Sequence, residues 1–254
     1  MTVRKLLRLA AVLCVVALPA KAAGFSDWVG IIVAGDNHAH SGAPSEVFDN
    51  ARRDLTTAFV KLGIPADNIR QFSVQPEKYP DEKLSPSVPQ TIADELYALT
   101  QKASGGCLIY FTSHGAPTGI LVGKGILAPP IMAKLINETC DKRPSVVVMS
   151  ACYSGVFVLD VKGDNRIVLT AARRDRPSFG CGESDHYTFF DGCFLQSLPS
   201  AGDFQKLGDN TRACVAAQEK KMGVEAPSEP QLNVGYDVMP NLPTWTPAPA
   251  ESHR

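Results

Sequence analysis

CLIYFTSHG (Cys107–Gly115) and, one crossover later, VVVMSACYSG (Val146–Gly155) decide how this chain folds. Each opens as a short, unbroken apolar run rich in β-branched and aromatic residues, the mark of a strand buried on both faces. Each then runs directly into a reactive side chain, His114 in one and Cys152 in the other. In open sheets of parallel strands, ligands bind in the crevice beyond the carboxyl ends of the strands. If the two strands are neighbours, about 5 Å apart, a thiol and an imidazole face one cleft.

Working outward, VGIIVA (Val29–Ala34) reads as another doubly buried strand, and Val47, Phe48, Ala51, Leu55, Ala58, Phe59 and Leu62 fall on one face of a helix that stops near Gly63 and Pro65. Asn68–Val74 predicts a second strand. Val88, Ile92, Leu96 and Leu99 mark a helix ended by Gly105-Gly106, Pro129–Asn137 a helix with proline in its first turn, and RIVLT (Arg166–Thr170) a further strand. LVGKGIL (Leu121–Leu127) is a hairpin with its turn at Gly123–Gly125. Strands alternating with helices imply right-handed crossovers and a mostly parallel sheet with helices on both faces, an α/β fold. From Pro240 onward, Pro240, Pro243, Pro247 and Pro249 cannot supply ladder hydrogen bonds, so residues 240–254 are expected to be a disordered or extended tail.

The 254 residues are 44% hydrophobic and 20% charged, which excludes wholesale disorder and fibrous repeats. With 25 Lys and Arg against 26 Asp and Glu there is no basic face for nucleic acid. Arg4, Lys5 and Arg8 precede an apolar Leu9–Leu18 and a small-x-small Ala20-Lys21-Ala22, the pattern of a secretory signal over residues 1–22. The expectation is export to a periplasm or to the exterior, with no integral membrane segment, since no apolar run reaches the roughly 20 residues a spanning helix needs. Six cysteines then remain, Cys107, Cys140, Cys152, Cys181, Cys193 and Cys214, in a compartment that favours disulfides. None of them forms a C-x-x-C pair or a zinc-type spacing.

A thiol beside an imidazole carries out nucleophilic acyl transfer: the base takes the thiol proton and later protonates the leaving amine. Gly115 has no side chain, so its N–H can approach a developing oxyanion together with that of Cys152. The His38-x-His40 pair with Asp36 has the residue types of a metal site, but two imidazoles in one loop are usually solvated. No metal and no other cofactor are expected.

The blocks Leu108–Val122 and Val146–Gly155, with WVGIIVAGDN (Trp28–Asn37) at the first strand and PQLNVG (Pro230–Gly235) near the end, resemble the legumain family of cysteine peptidases in the caspase-like superfamily. The resemblance implies a three-layer α/β/α sandwich over residues 23–239 and a peptide or protein substrate. It makes Cys152 the nucleophile, His114 the general acid/base, Gly115 part of the oxyanion hole and Asn37 the residue that orients the histidine. Legumain-like enzymes cleave after Asn, sometimes Asp. Asp191 and Ser178 look like two members of that polar primary pocket. Two positions depart from the family: Ser150 stands where legumains carry an acid, and His38, His40 and Ser41 occupy the loop that holds their Arg. Ser150 and His40 therefore replace one anion and one cation in the expected substrate pocket. Relatives also join peptides or transfer them to amines, and a lapsed enzyme would keep only peptide binding. These remain the alternatives to hydrolysis, and the sequence leaves the oligomeric state open. On such a fold Cys107 and Cys140 both lie at the amino-terminal edge of the sheet and are expected to pair. Cys181, Cys193 and Cys214 allow one more bridge, and Cys152 stays free.

Overall fold

A computed structural model describes residues 24–248, so the expected signal segment over residues 1–22 and the last six residues lie outside the described part of the chain. In chain order the main elements are β1 (Val29–Ala34), α1 (Val47–Leu62), β2 (Ile69–Ser73), β3 (Leu84–Pro86), α2 (Pro89–Thr100) and β4 (Cys107–Thr112). They continue with β5 (Gly115–Ala116), β6 (Gly119–Val122), β7 (Gly125–Leu127), α3 (Pro129–Thr139), β8 (Ser145–Ser150) and α4 (Phe157–Val161). The chain closes with β9 (Arg166–Thr170), α5 (Phe189–Ala201), α6 (Phe204–Lys221) and β10 (Gln231–Val234).

Seven strands form the central sheet in the order β10-β9-β8-β4-β1-β2-β3. All neighbours are parallel except β10, which runs antiparallel to β9 along the edge. Period-two alternation divides each central strand between two cores. Leu108 and Tyr110 of β4 pack with Val146 and Val148 of β8 under α1, α5 and α6, where Leu55, Phe59, Phe190 and Phe194 lie. Ile109 and Phe111 pack with Val147 and Met149 on the opposite face, under Ile92 and Leu96 of α2 and Met132 and Ile136 of α3. The result is the expected α/β/α sandwich.

Cys107 and Cys140 form the expected bridge at the amino-terminal edge, with Cα atoms 6.2 Å apart. Cys193 and Cys214 tie α5 to α6, and Cys152 and Cys181 remain thiols. The described part of the proline-rich tail carries no ladder, yet it is docked rather than disordered. Trp245 packs its ring against Phe25 and Phe204 and donates Nε1–H to the Leu198 carbonyl at 2.9 Å, while Ala248 N–H reaches Pro199 O at 2.7 Å. Aromatic burial supplies what a ladder would have given.

Candidate active site

From β1 the chain moves toward one edge of the sheet through β2 and β3. From β4 it moves toward the other, through β8 and β9. The order therefore reverses between β1 and β4, and the loops leaving these two carboxyl ends part to open a crevice. The small β5–β6–β7 sheet folds over it: Leu121 N–H donates to His114 O and Gly123 N–H to Gly35 O, each at 2.9 Å.

β4 and β8 are direct neighbours, paired residue for residue from Cys107 with Ser145 to Thr112 with Ser150. Ser113 N–H extends the ladder by one bond to Ser150 O at 3.0 Å, so both chains leave the sheet at the same height. Gly115 passes against the Cys152 main chain so closely that a Cβ there would lie 2.1 Å from Cys152 O and 2.9 Å from Ala151 Cβ. Histidine and cysteine thus emerge from adjoining tips, and glycine at 115 is a requirement of the approach.

His114 is 24% exposed. Its Nε2 lies 3.0 Å from the His38 carbonyl, and the edge of Phe48 supports its ring at a centroid distance of 5.2 Å. A carbonyl only accepts, so this bond places the proton of the neutral imidazole on Nε2 and leaves Nδ1 as the basic nitrogen. Asp36 Oδ2 stands 3.9 Å from the same Nε2.

The Cys152 sulfur is partly exposed. Ser178 N–H donates to it at 3.2 Å, and the Ser178 carbonyl and hydroxyl oxygens lie 3.5 and 3.6 Å away. The Cys152 N–H has no acceptor among the described residues and is available to an incoming oxygen. The next residue, Tyr153, holds φ 58° and ψ 10°, a left-handed conformation that costs a non-glycine residue roughly 1–2 kcal/mol. Its N–H bonds to Arg176 O at 2.8 Å, so the same 176–178 segment grips the chain on both sides of the sulfur.

Asn37 does not make the contact expected of it. Its N–H closes a turn on Asp36 Oδ1 at 2.7 Å, and its side-chain amide then points to Gln75 Oε1 at 3.1 Å. The group that holds the imidazole is the carbonyl one residue further on. Among the expected pocket residues, only Ser178 reaches the sulfur. Ser150 is buried, with its hydroxyl 3.5 Å from that of Thr188. Asp191 is fully buried in the first turn of α5, where Tyr110 and Thr112 hydroxyls donate to its two oxygens at 2.7 and 2.6 Å. Burial raises the Asp191 carboxyl above its ordinary range, partly offset by these hydroxyl donors, and burial also drives the Tyr110 phenol well upward. His40 touches the site through its main chain, N–H to Cys181 O at 3.0 Å, with its residue exposed. Burial, and after it the nearby Cys152, raises the Cys181 thiol.

Three contributors went unassigned in the sequence as catalytic: Asp36, the His38 carbonyl and Phe48. The Asp36/His38 spacing was visible, but only as a metal pattern. Among the described residues no three His, Cys, Asp or Glu side chains come together as a metal set, and no helix is long and apolar enough to cross a membrane. Beside Asp36 and His38 the crevice continues into a cavity of about 550 Å³, walled by Val74, Val88 and Val122 with Lys124 at its rim.

A sulfur and an imidazole on adjoining strand tips of a mostly parallel sheet define a caspase-like cysteine–histidine architecture. The crystal structure of caspase-1 from Spodoptera frugiperda is similar in fold, with a TM-score of 0.60 at 13% identity, covering 89% of this chain and 94% of that one. A comparison with curated protein sequences finds no match. The chain belongs to the Peptidase C13 family, the legumain family of cysteine peptidases, whose family model matches residues 90–218, half of its length.

Proposed function

We propose that the protein is an exported cysteine endopeptidase in which Cys152 attacks a peptide carbonyl and His114 is the general acid/base. The observation that carries this reading is the meeting of the two tips through Gly115 and Cys152, with the thiol outside any disulfide. His114 takes the thiol proton as sulfur bonds to the carbonyl carbon. The Cys152 and Gly115 N–H groups face the oxygen that gains charge. The imidazolium returns its proton to the departing amine, and a water deprotonated by the same imidazole releases the acyl group and restores the thiol.

The preference for Asn, sometimes Asp, before the scissile bond is carried over from the family as the expected specificity. Of the expected pocket residues, Ser178 stands at the nucleophile, its hydroxyl 3.6 Å from the sulfur, and supports a polar substrate side chain there. Two disulfides support an oxidising compartment and hence export.

The test is digestion of a peptide library by the purified mature protein, read by mass spectrometry. Cleavage concentrated after Asn is expected, lost in Cys152→Ala and after alkylation of Cys152 with iodoacetamide. Unchanged hydrolysis by Cys152→Ala would overturn the assignment.

A further inference from the structure

The turn that leaves β1 reaches His114 from two of its residues, Asp36 and His38, and the Asp36 side chain links them. Asp36 is only 9% exposed. Its Oδ1 accepts from Asn37 N–H at 2.7 Å and lies 2.8 Å from His38 Nδ1, so together with the main-chain bonds of Ser45 N–H to Asn37 O and Ala39 N–H to Ala43 O it holds the peptide whose His38 carbonyl points at the imidazole. That carbonyl takes His114 Nε2 at 3.0 Å, and the other carboxylate oxygen, Oδ2, sits 3.9 Å from the same nitrogen. Asp36 therefore acts on the imidazole twice, through the main chain it shapes and through its own charge.

We propose that Asp36, and not Asn37, is the positioning residue for His114, aiming Nδ1 at the reaction by holding the His38 carbonyl on Nε2 and facing the imidazolium with a carboxylate. The assignment rests on the reading of Cys152 and His114 as the working pair. A buried hydrogen-bonded carboxylate that keeps an imidazole in one tautomer and orientation is worth orders of magnitude in rate when the imidazole must accept and return a proton. Asn37 does not take this part: no atom of its side chain bonds to His114, and its amide nitrogen donates to Gln75, which in turn reaches Asp49 Oδ2 at 3.5 Å. The charged and titratable groups around the pair are His38 on the same turn, Cys152 on the β8 tip and Lys124 at the rim of the adjoining cavity; α1 contributes the uncharged Phe48.

The experiment is a double-mutant cycle read by the rate of Cys152 alkylation with iodoacetamide, followed at the level of the Cys152 peptide, which needs no proteolysis. Asp36→Asn keeps the size of the side chain and removes its charge. Asp36→Ser keeps an oxygen for Asn37 N–H and serves if Asp36→Asn does not fold, as judged by its melting curve. With His114 present, either variant is expected to slow alkylation at least tenfold. In a His114→Ala background the same change is expected to have no further effect, because Asp36 acts through the ring. A rate equal to wild type with His114 present, or the same fold-loss in both backgrounds, would overturn the proposal. Peptide hydrolysis is measured in parallel, where kcat should fall with KM unchanged. Should the wild type cleave no peptide while the cycle behaves as expected, the peptidase reading fails and the role of Asp36 stands.

Discussion

Gly115→Ala isolates the closeness of the two strand tips. A Cβ at residue 115 would lie 2.1 Å from the Cys152 carbonyl oxygen and 3.1 Å from its carbonyl carbon, whereas real Cβ atoms essentially never approach below 3.0 Å. The obstructing atoms are main chain, so no side-chain rotation relieves the clash, and the tips must part by about 1 Å. Misplacing reacting groups by that much costs on the order of 10²-fold in rate. Overpacking of this kind destabilises a fold by roughly 1–3 kcal/mol, and in a domain of this size each kcal/mol lowers Tm by about 2–4 °C. The variant should therefore remain folded at 25 °C while kcat/KM on an Asn-containing peptide drops at least a hundredfold and Cys152 alkylation slows. Gly24→Ala is the control, since a Cβ there meets nothing within 4 Å. Activity of Gly115→Ala within threefold of wild type would refute the inferred contact between the tips.

Two further outcomes follow from buried groups. Burial raises the Asp191 carboxyl, so its contribution to stability is full below the unfolded value of about 3.9 and is lost as pH rises through the folded value, at about 1.4 kcal/mol for each pH unit between them. Asn at 191 does not titrate, so urea melts of Asp191→Asn should show the stability difference from wild type moving in the variant's favour as pH rises from 4 to 7; a difference that moves the other way would contradict the direction of the shift. The Cys107–Cys140 bridge closes 33 residues, for which chain entropy gives about 3–4 kcal/mol, so the double Ser variant should melt markedly earlier by calorimetry, and an unchanged Tm would remove the bridge from the account of stability.

The parts of the fold that the sequence made legible are those with a clean period. The face running from Val47 to Leu62 coincides with α1, and the apolar runs at Val29, Cys107 and Arg166 coincide with β1, β4 and β9. Helices α5 and α6 gave no such signal. α5 buries Phe190, Asp191, Cys193, Phe194, Ser197 and Leu198 between the sheet and α6, so its apolar and polar residues do not separate into faces, and Pro199 interrupts the pattern. α6 buries Phe204, Leu207 and Val215, but Gly208 against Leu232, Thr211 and Glu219 share that buried face, so apolar residues alone do not trace it. In the site, Cys152, His114 and Gly115 were legible because each follows an unmistakable strand. The orientation of Asn37 was not, because a turn one residue out of phase exchanges a side chain for a carbonyl, and that phase is set by hydrogen bonds within the turn, Asp36 Oδ1 with Asn37 N–H among them.

The placement of the first disulfide bears on more than melting. Cys107 is the residue at which β4 starts, and Cys140 sits just ahead of β8, so the covalent link joins the roots of the two strands whose far ends carry the imidazole and the thiol. A slip of one residue between parallel strands displaces one end against the other by about 3.3 Å and turns every side chain to the wrong face. One pair of sulfurs, oxidised at the foot of the sheet, thereby restrains the phase in which a third sulfur is delivered at its summit, so a reducing environment would loosen alignment at the nucleophile without ever touching it.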